Sequence, residues 1–120
     1  MEPRMVTCEV VKQILDGPLA ASTVVVDVRD DDFADGHIPG AVNWVVDNFN
    51  DDAGIDELVE THLEGKERVV VHCMLSQQRG PFAARRLAMR LQQLGRPLPN
   101  VLVMQGGFQR WRRLGFPKQA

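Results

Sequence analysis

The stretch that most constrains this 120-residue chain is Arg68-Val69-Val70-Val71-His72-Cys73-Met74-Leu75-Ser76-Gln77-Gln78-Arg79-Gly80-Pro81. A β-branched apolar run of this kind reads as a strand buried on both faces, the kind that parallel sheets contain. The run ends in Cys73, five residues separate that cysteine from Arg79, and Gly80-Pro81 opens a helical pattern. Proline is expected at the first helical position, where its missing N–H would have been unpaired in any case. A strand then fixes one end of the loop and a helix the other. Consecutive backbone N–H groups between them can curl around an oxyanion, with the positive end of the helix dipole aimed at the same point.

The rest of the chain supplies partners for that strand. Val24 to Val28 is a second continuous β-branched run, Ala41 to Val46 a third strand and Val101 to Met104 a last one. Thr7 is expected to cap a helix that carries Val10, Val11, Ile14 and Leu15 on one face, with Cys8 in its first turn. Ile55, Leu58, Val59 and Leu63 mark another amphipathic helix, ended by Gly65. A third runs from Pro81 to about Leu94, with Phe82, Ala83, Leu87, Leu91 and Leu94 as its expected buried stripe and its arginines outside. Gly106-Gly107 opens a short helix carrying Phe108 and Trp111. Four buried-type strands alternating with helices imply one three-layer α/β domain over residues 1–120, built around a mostly parallel sheet. Ligands in such sheets gather at the carboxyl ends of strands, where Cys73 is expected.

Composition narrows the chemistry. Cys8 and Cys73 are too few for a disulfide framework, and no Cys/His spacing matches a structural zinc site, so neither a metal nor a bound cofactor is expected. No apolar run is long enough to span a membrane, and Met1-Glu2-Pro3-Arg4 lacks the apolar core of a secretory signal. A reducing compartment is therefore expected, the cytoplasm with the nucleus also open, and a thiolate enzyme needs one. Residues 1–78 hold all sixteen acids with five bases, whereas residues 79–120 hold nine bases and no acid. Either the two parts pack together and mix their charges, or Arg79, Arg85, Arg86 and Arg90 form a basic rim that attracts an anion. With a pI near 5.9 and no aromatic residues interleaved among the bases, nucleic acid is not an expected partner.

A free cysteine ionises near pH 8.5, and a helix N-terminus with a nearby guanidinium favours its thiolate. Arg79 offers a planar fork of donors to two oxygens of a phosphate-like group, and the amides of Met74, Leu75, Ser76, Gln77, Gln78 and Arg79 offer more. Cys73 and Arg79 are thus the expected catalytic pair. His72 and Gly80 are expected to support the loop, since the His72 side chain alternates away from that of Cys73. Ser76 reads either as a partner of a loop amide or the thiolate, or as an ordinary turn residue.

These segments resemble the rhodanese superfamily. Val26-Asp27-Val28-Arg29, Phe33 and Gly36-His37-Ile38-Pro39-Gly40-Ala41 are similar to its upstream signature, and Val101 to Phe108 with Trp111 to its C-terminal one. The His-Cys-x5-Arg loop is one residue longer than that of the usual sulfurtransferases. It resembles that of the cell-division-cycle dual-specificity phosphatases and the related eukaryotic arsenate reductases. Those phosphatases carry acids where this chain has Met74 and Gln78, so no loop carboxylic acid is available to protonate a leaving alcohol. The resemblance therefore implies reduction of arsenate, or antimonate, ahead of phosphomonoester hydrolysis, with sulfur transfer or a non-catalytic binding module further behind. It also implies a small oxyanion substrate, glutathione as the attacking thiol and glutaredoxin as the partner that restores Cys73. Cys8 is the internal alternative for a resolving thiol, against the plainer reading of a small residue filling a helix turn. Asp27 and Arg29 match a family motif and are expected to hold loops through an ion pair, with Asp27 as an acid the alternative.

Overall fold

Each apolar run becomes a strand in the computed structural model, which describes residues 2–120, and all the strands run parallel in one sheet. The strands are β1 (Arg4–Val6), β2 (Thr23–Asp27), β3 (Val42–Asn43), β4 (Arg68–His72) and β5 (Asn100–Met104), in the order β1-β5-β4-β2-β3. The α-helices are α1 (Cys8–Asp16), α2 (Asp52–Leu58), α3 (Arg79–Gln93) and α4 (Gly107–Arg113), and α2 runs on into a π turn over Val59–Leu63.

Side-chain alternation along the strands sorts the core into two layers. Val69, Val71, Val101 and Val103 join Ile55, Leu58, Ala83 and Leu87 on the α2/α3 face. Val70, Leu102 and Met104 join Val11, Phe108 and Trp111 on the α1/α4 face. The result is the three-layer α/β fold. Each fully buried valine or leucine contributes about 1.5–3 kcal/mol, so a Leu87→Ala cavity costs about 2–5 kcal/mol.

Several local expectations change. β1 is an additional edge strand; Arg4 and Met5 are exposed, so no apolar pattern marks it. The strand expected over Ala41 to Val46 shrinks to Val42–Asn43, because the chain then leans across the end of β2, with Trp44 N–H donating to Asp27 O (3.0 Å) and Val46 N–H to Val28 O (3.1 Å). α3 begins at Arg79, which puts Pro81 at its third position, still among the amides that lack an intrahelical acceptor. Phe82 (36% exposed) and Leu94 (43%) lie outside the buried stripe, and Gly80, Ala84 and Ala88 complete it instead.

Of the α3 arginines only Arg85 is exposed; the others are half-buried. Arg86 donates to Phe49 O (3.0 Å), and Arg90 grips both oxygens of Asp56 (2.7 and 2.8 Å), holding that carboxyl below its usual range. With Arg96 on Glu64 and Arg110 on Glu9, the basic and acidic parts of the chain mix their charges at these seams.

Candidate active site

Cys73 follows β4 directly and, two residues beyond Val71, points to the same α2/α3 face. It is 3% exposed. Its Sγ accepts the Ser76 N–H at 3.1 Å and the Gly80 N–H at 3.3 Å, so two backbone donors converge on the sulfur. Gly80 eases the close start of α3: a Cβ there would crowd Cys73 N at 3.3 Å and touch Sγ at 3.5 Å.

The intervening loop has no regular structure, and the amides of Met74, Leu75, Gln77 and Gln78 meet no acceptor among the described residues. Arg79, half-buried as the first residue of α3, makes no ion pair among the described residues. It lines a shallow depression of about 480 Å³ together with Cys73, Met74, Leu75, Gln77 and Gln78. A thiol, unspent amides and an unspent guanidinium thus share one hollow at the carboxyl end of the sheet. A larger groove of about 620 Å³ runs along the β2 edge between Lys12, His62 and Trp111, and contains neither cysteine.

A second set of residues holds the loop from the opposite face. His72 is fully buried, and its Nδ1 lies 3.0 Å from Cys73 O; a carbonyl only accepts, so Nδ1 carries the proton. Its Nε2 has no hydrogen-bond partner and stands 3.7 Å from Asp27 Oδ2. Burial lowers the imidazole pKa, and the Asp27 carboxylate only partly opposes this. Asp27 in turn takes a forked pair of bonds from Arg29 (2.8–3.1 Å), and both residues are buried. Arg29 also donates to Gly36 O at 2.7 Å, and its guanidinium stacks 4.4 Å from the Phe108 ring centroid. Asp27 therefore anchors the layer beneath the loop, on the face away from Cys73, where it cannot serve as an acid for a bound oxyanion.

The α4 amides, which the sequence reading missed, complete the support. Phe108 N–H donates to Cys73 O and Gln109 N–H to Met74 O, both at 2.9 Å. This approach requires Gly107, with φ +62°, since a Cβ there would lie 2.4 Å from Met74 O. The Gly106-Gly107 pair was the available signal.

Cys8 belongs to the α1/α4 layer, on the other side of the sheet from Cys73. Its Sγ faces the carbonyl oxygens of Gln105 (3.6 Å) and Gly107 (3.8 Å). Burial, aided by Glu9, pushes its thiol pKa up to about 11. That supports the plainer reading of Cys8 as a small residue filling a helix turn over the alternative of a resolving thiol.

No group of three His, Cys, Asp or Glu residues that could hold a metal occurs among the described residues, and no helix there is long and apolar enough to cross a membrane. A family model described as "Rhodanese-like domain" matches residues 7–114. Over 96 residues, 78% of this chain, the sequence is 36% identical to the Arabidopsis thaliana protein named dual specificity phosphatase Cdc25, and the match spans 64% of that protein's length. It is 35% identical over 96 residues to arsenate reductase 2.2 of Oryza sativa subsp. japonica, covering 78% of this chain and 72% of the relative. The solved structure of the As–Sb reductase from Leishmania major superposes with a TM-score of 0.85 at 30% identity, covering 95% of this chain and 80% of that one.

Proposed function

Since this chain belongs to the rhodanese-like domain family, we propose that it is a thiol-coupled arsenate reductase, with antimonate a second substrate. The observation that carries the reading is the loop itself. Two amides converge on Cys73 Sγ, an unpaired Arg79 stands at the rim, and no carboxylic acid lies between Cys73 and Arg79.

Arg79 and the free loop amides hold the oxyanion. The Cys73 thiolate attacks arsenic, an As–S bond forms, and an arsenate oxygen leaves as water after taking a proton. Arsenate brings its own hydroxyl groups, so this step asks little of an enzymic acid, whereas a departing alcohol from a phosphate ester asks for one. Glutathione thiolate then attacks the Cys73 sulfur. The As–S electron pair passes to arsenic, arsenite leaves as As(III), and Cys73 is left in a mixed disulfide with glutathione. A second thiol, from glutathione or from glutaredoxin, attacks the glutathione sulfur and releases Cys73 as thiolate. Two thiols together supply the two electrons.

Phosphatase activity is the second reading, favoured by the likeness to the Arabidopsis phosphatase. Purified protein would be assayed for arsenate-dependent NADPH oxidation through glutathione and glutathione reductase, with and without glutaredoxin. Parallel arms would follow aryl phosphate hydrolysis and sulfur transfer from thiosulfate to cyanide. Coupled oxidation with slow aryl phosphate turnover is the expected pattern. Rapid aryl phosphate turnover without coupled oxidation would overturn it.

A further inference from the structure

The Ser76 side chain has no part in the steps above, yet its geometry is unusual. It is 5% exposed and has φ +55°, the one positive-φ non-glycine residue among the described residues. That region is strained for a serine and persists only where neighbouring groups hold it. Two contacts do so here, and they are reciprocal: Ser76 Oγ accepts the Cys73 N–H at 3.4 Å, and Ser76 N–H donates to Cys73 Sγ at 3.1 Å. The side chain thus locks the turn that aims the amide at the sulfur.

We propose that Ser76 is a positioning residue that keeps Cys73 ready as a thiolate, its hydroxyl locking a left-handed turn whose amide is presented to Sγ. This rests on Cys73 being the nucleophile and is independent of which oxyanion it attacks. The consequence lies in the last step of turnover. When a second thiol meets the Cys73–glutathione disulfide, it attacks the sulfur whose partner leaves more easily as thiolate. A Cys73 sulfur stabilised by the Ser76 and Gly80 amides is that leaving group, so attack falls on the glutathione sulfur: the new S–S bond joins the incoming thiol to glutathione and the old bond's electron pair returns to Cys73. An external thiol can then finish the cycle without help from Cys8.

The charged side chain that lines the hollow with Cys73 is Arg79; His72 and Asp27 lie together on the other face of the sheet. The test follows alkylation of Cys73 by iodoacetamide in the full chain, read by peptide mass at pH 7 and pH 10, with folding checked by thermal unfolding. Ser76→Ala keeps the strain and loses the lock, so its rate at pH 7 should fall about tenfold while converging with the parent at pH 10. Ser76→Gly also loses the lock but relaxes the turn, and should fall about threefold at pH 7 with the same convergence. It serves alone if the alanine variant does not fold. An unchanged rate at pH 7 in either folded variant overturns the proposal, as does an equal loss at both pH values, which would mark a change of access. A glycine variant slower than the alanine one contradicts the role given to the left-handed turn.

Discussion

Cys73 and Cys8 occupy similar places in the chain and opposite chemical surroundings. Each lies just past the end of a strand and near the start of a helix at the carboxyl edge of the sheet. Cys73 Sγ is met by two N–H groups, whereas Cys8 Sγ is met by two carbonyl oxygens. Gly107 is the wall between them: its carbonyl faces Cys8, and its Cα presses against the carbonyls of Cys73 and Met74. Standing near a helix N-terminus is therefore not sufficient by itself: α3 turns its Gly80 N–H onto Cys73 Sγ, whereas burial outweighs the helix start at Cys8. The backbone atoms that line the sulfur decide, and they depend on which layer the side chain enters.

The largest expected effect separates the two thiols directly. Cys73→Ser should lower the coupled arsenate reaction by more than about 10³-fold, while Cys8→Ser should leave turnover with excess glutathione within about twofold of the parent, because a buried thiol held near pH 11 supplies little thiolate. A collapse of the Cys8→Ser reaction would show that the layers do not isolate the two sulfurs.

Breaking the wall comes next. Gly107→Ala should destabilise the fold by about 2–4 kcal/mol in chemical denaturation, since it combines a left-handed backbone with a Cβ that meets two carbonyl oxygens. Gly115 has a similar φ of +73° and open space around it, so Gly115→Ala should cost only about 1 kcal/mol. Equal costs would mean that the approach of α4 to the loop contributes nothing.

The loop's missing acid can be supplied at two places that differ in the layer they face. Gln78 is exposed at the rim, and Gln78→Glu should raise aryl phosphatase activity by about 10-fold or more. The Met74 side chain packs on the α1/α4 cluster, so Met74→Glu should lower stability without that gain. A larger gain from Met74→Glu would reverse this assignment.

The smallest effect is a pH dependence of stability. The His72 pKa is lowered in the fold, so between its unfolded value of about 6.5 and its folded one the unfolded chain binds the extra proton. Stability from this residue is present above that range and is lost as pH falls through it, by at most about tenfold in the folding constant per pH unit. His72→Asn keeps a donor for Cys73 O, and its denaturation midpoints between pH 7 and pH 5 should decline less steeply than those of the parent. Parallel declines would remove His72 from the account.

Much of this molecule is legible in its residues. The β-branched runs mark β2, β4 and β5, and the spacing from Cys73 to Arg79 marks the hollow. β1 escaped because an edge strand with two exposed residues carries no pattern. Helical spacing puts Phe82 and Leu94 on the buried stripe, yet they are exposed, because spacing identifies a stripe more reliably than its margins, which the neighbouring layer sets. The surroundings of Cys8 come from Gln105 and Gly107, nearly a full chain length away, and no local reading reaches them. The loop's two supports differ in the same way. Gly80 announces itself beside Arg79, whereas the α4 amides act through Gly107, whose partners appear only once the sheet is assembled.

The most direct test is peptide mapping of the protein after arsenate and glutathione are added together, quenched with acid before full turnover. The expected product is a glutathione mixed disulfide on the Cys73 peptide that requires arsenate, with Cys8 still a free thiol. A Cys8–Cys73 disulfide, or no arsenate-dependent change at Cys73, would contradict the account.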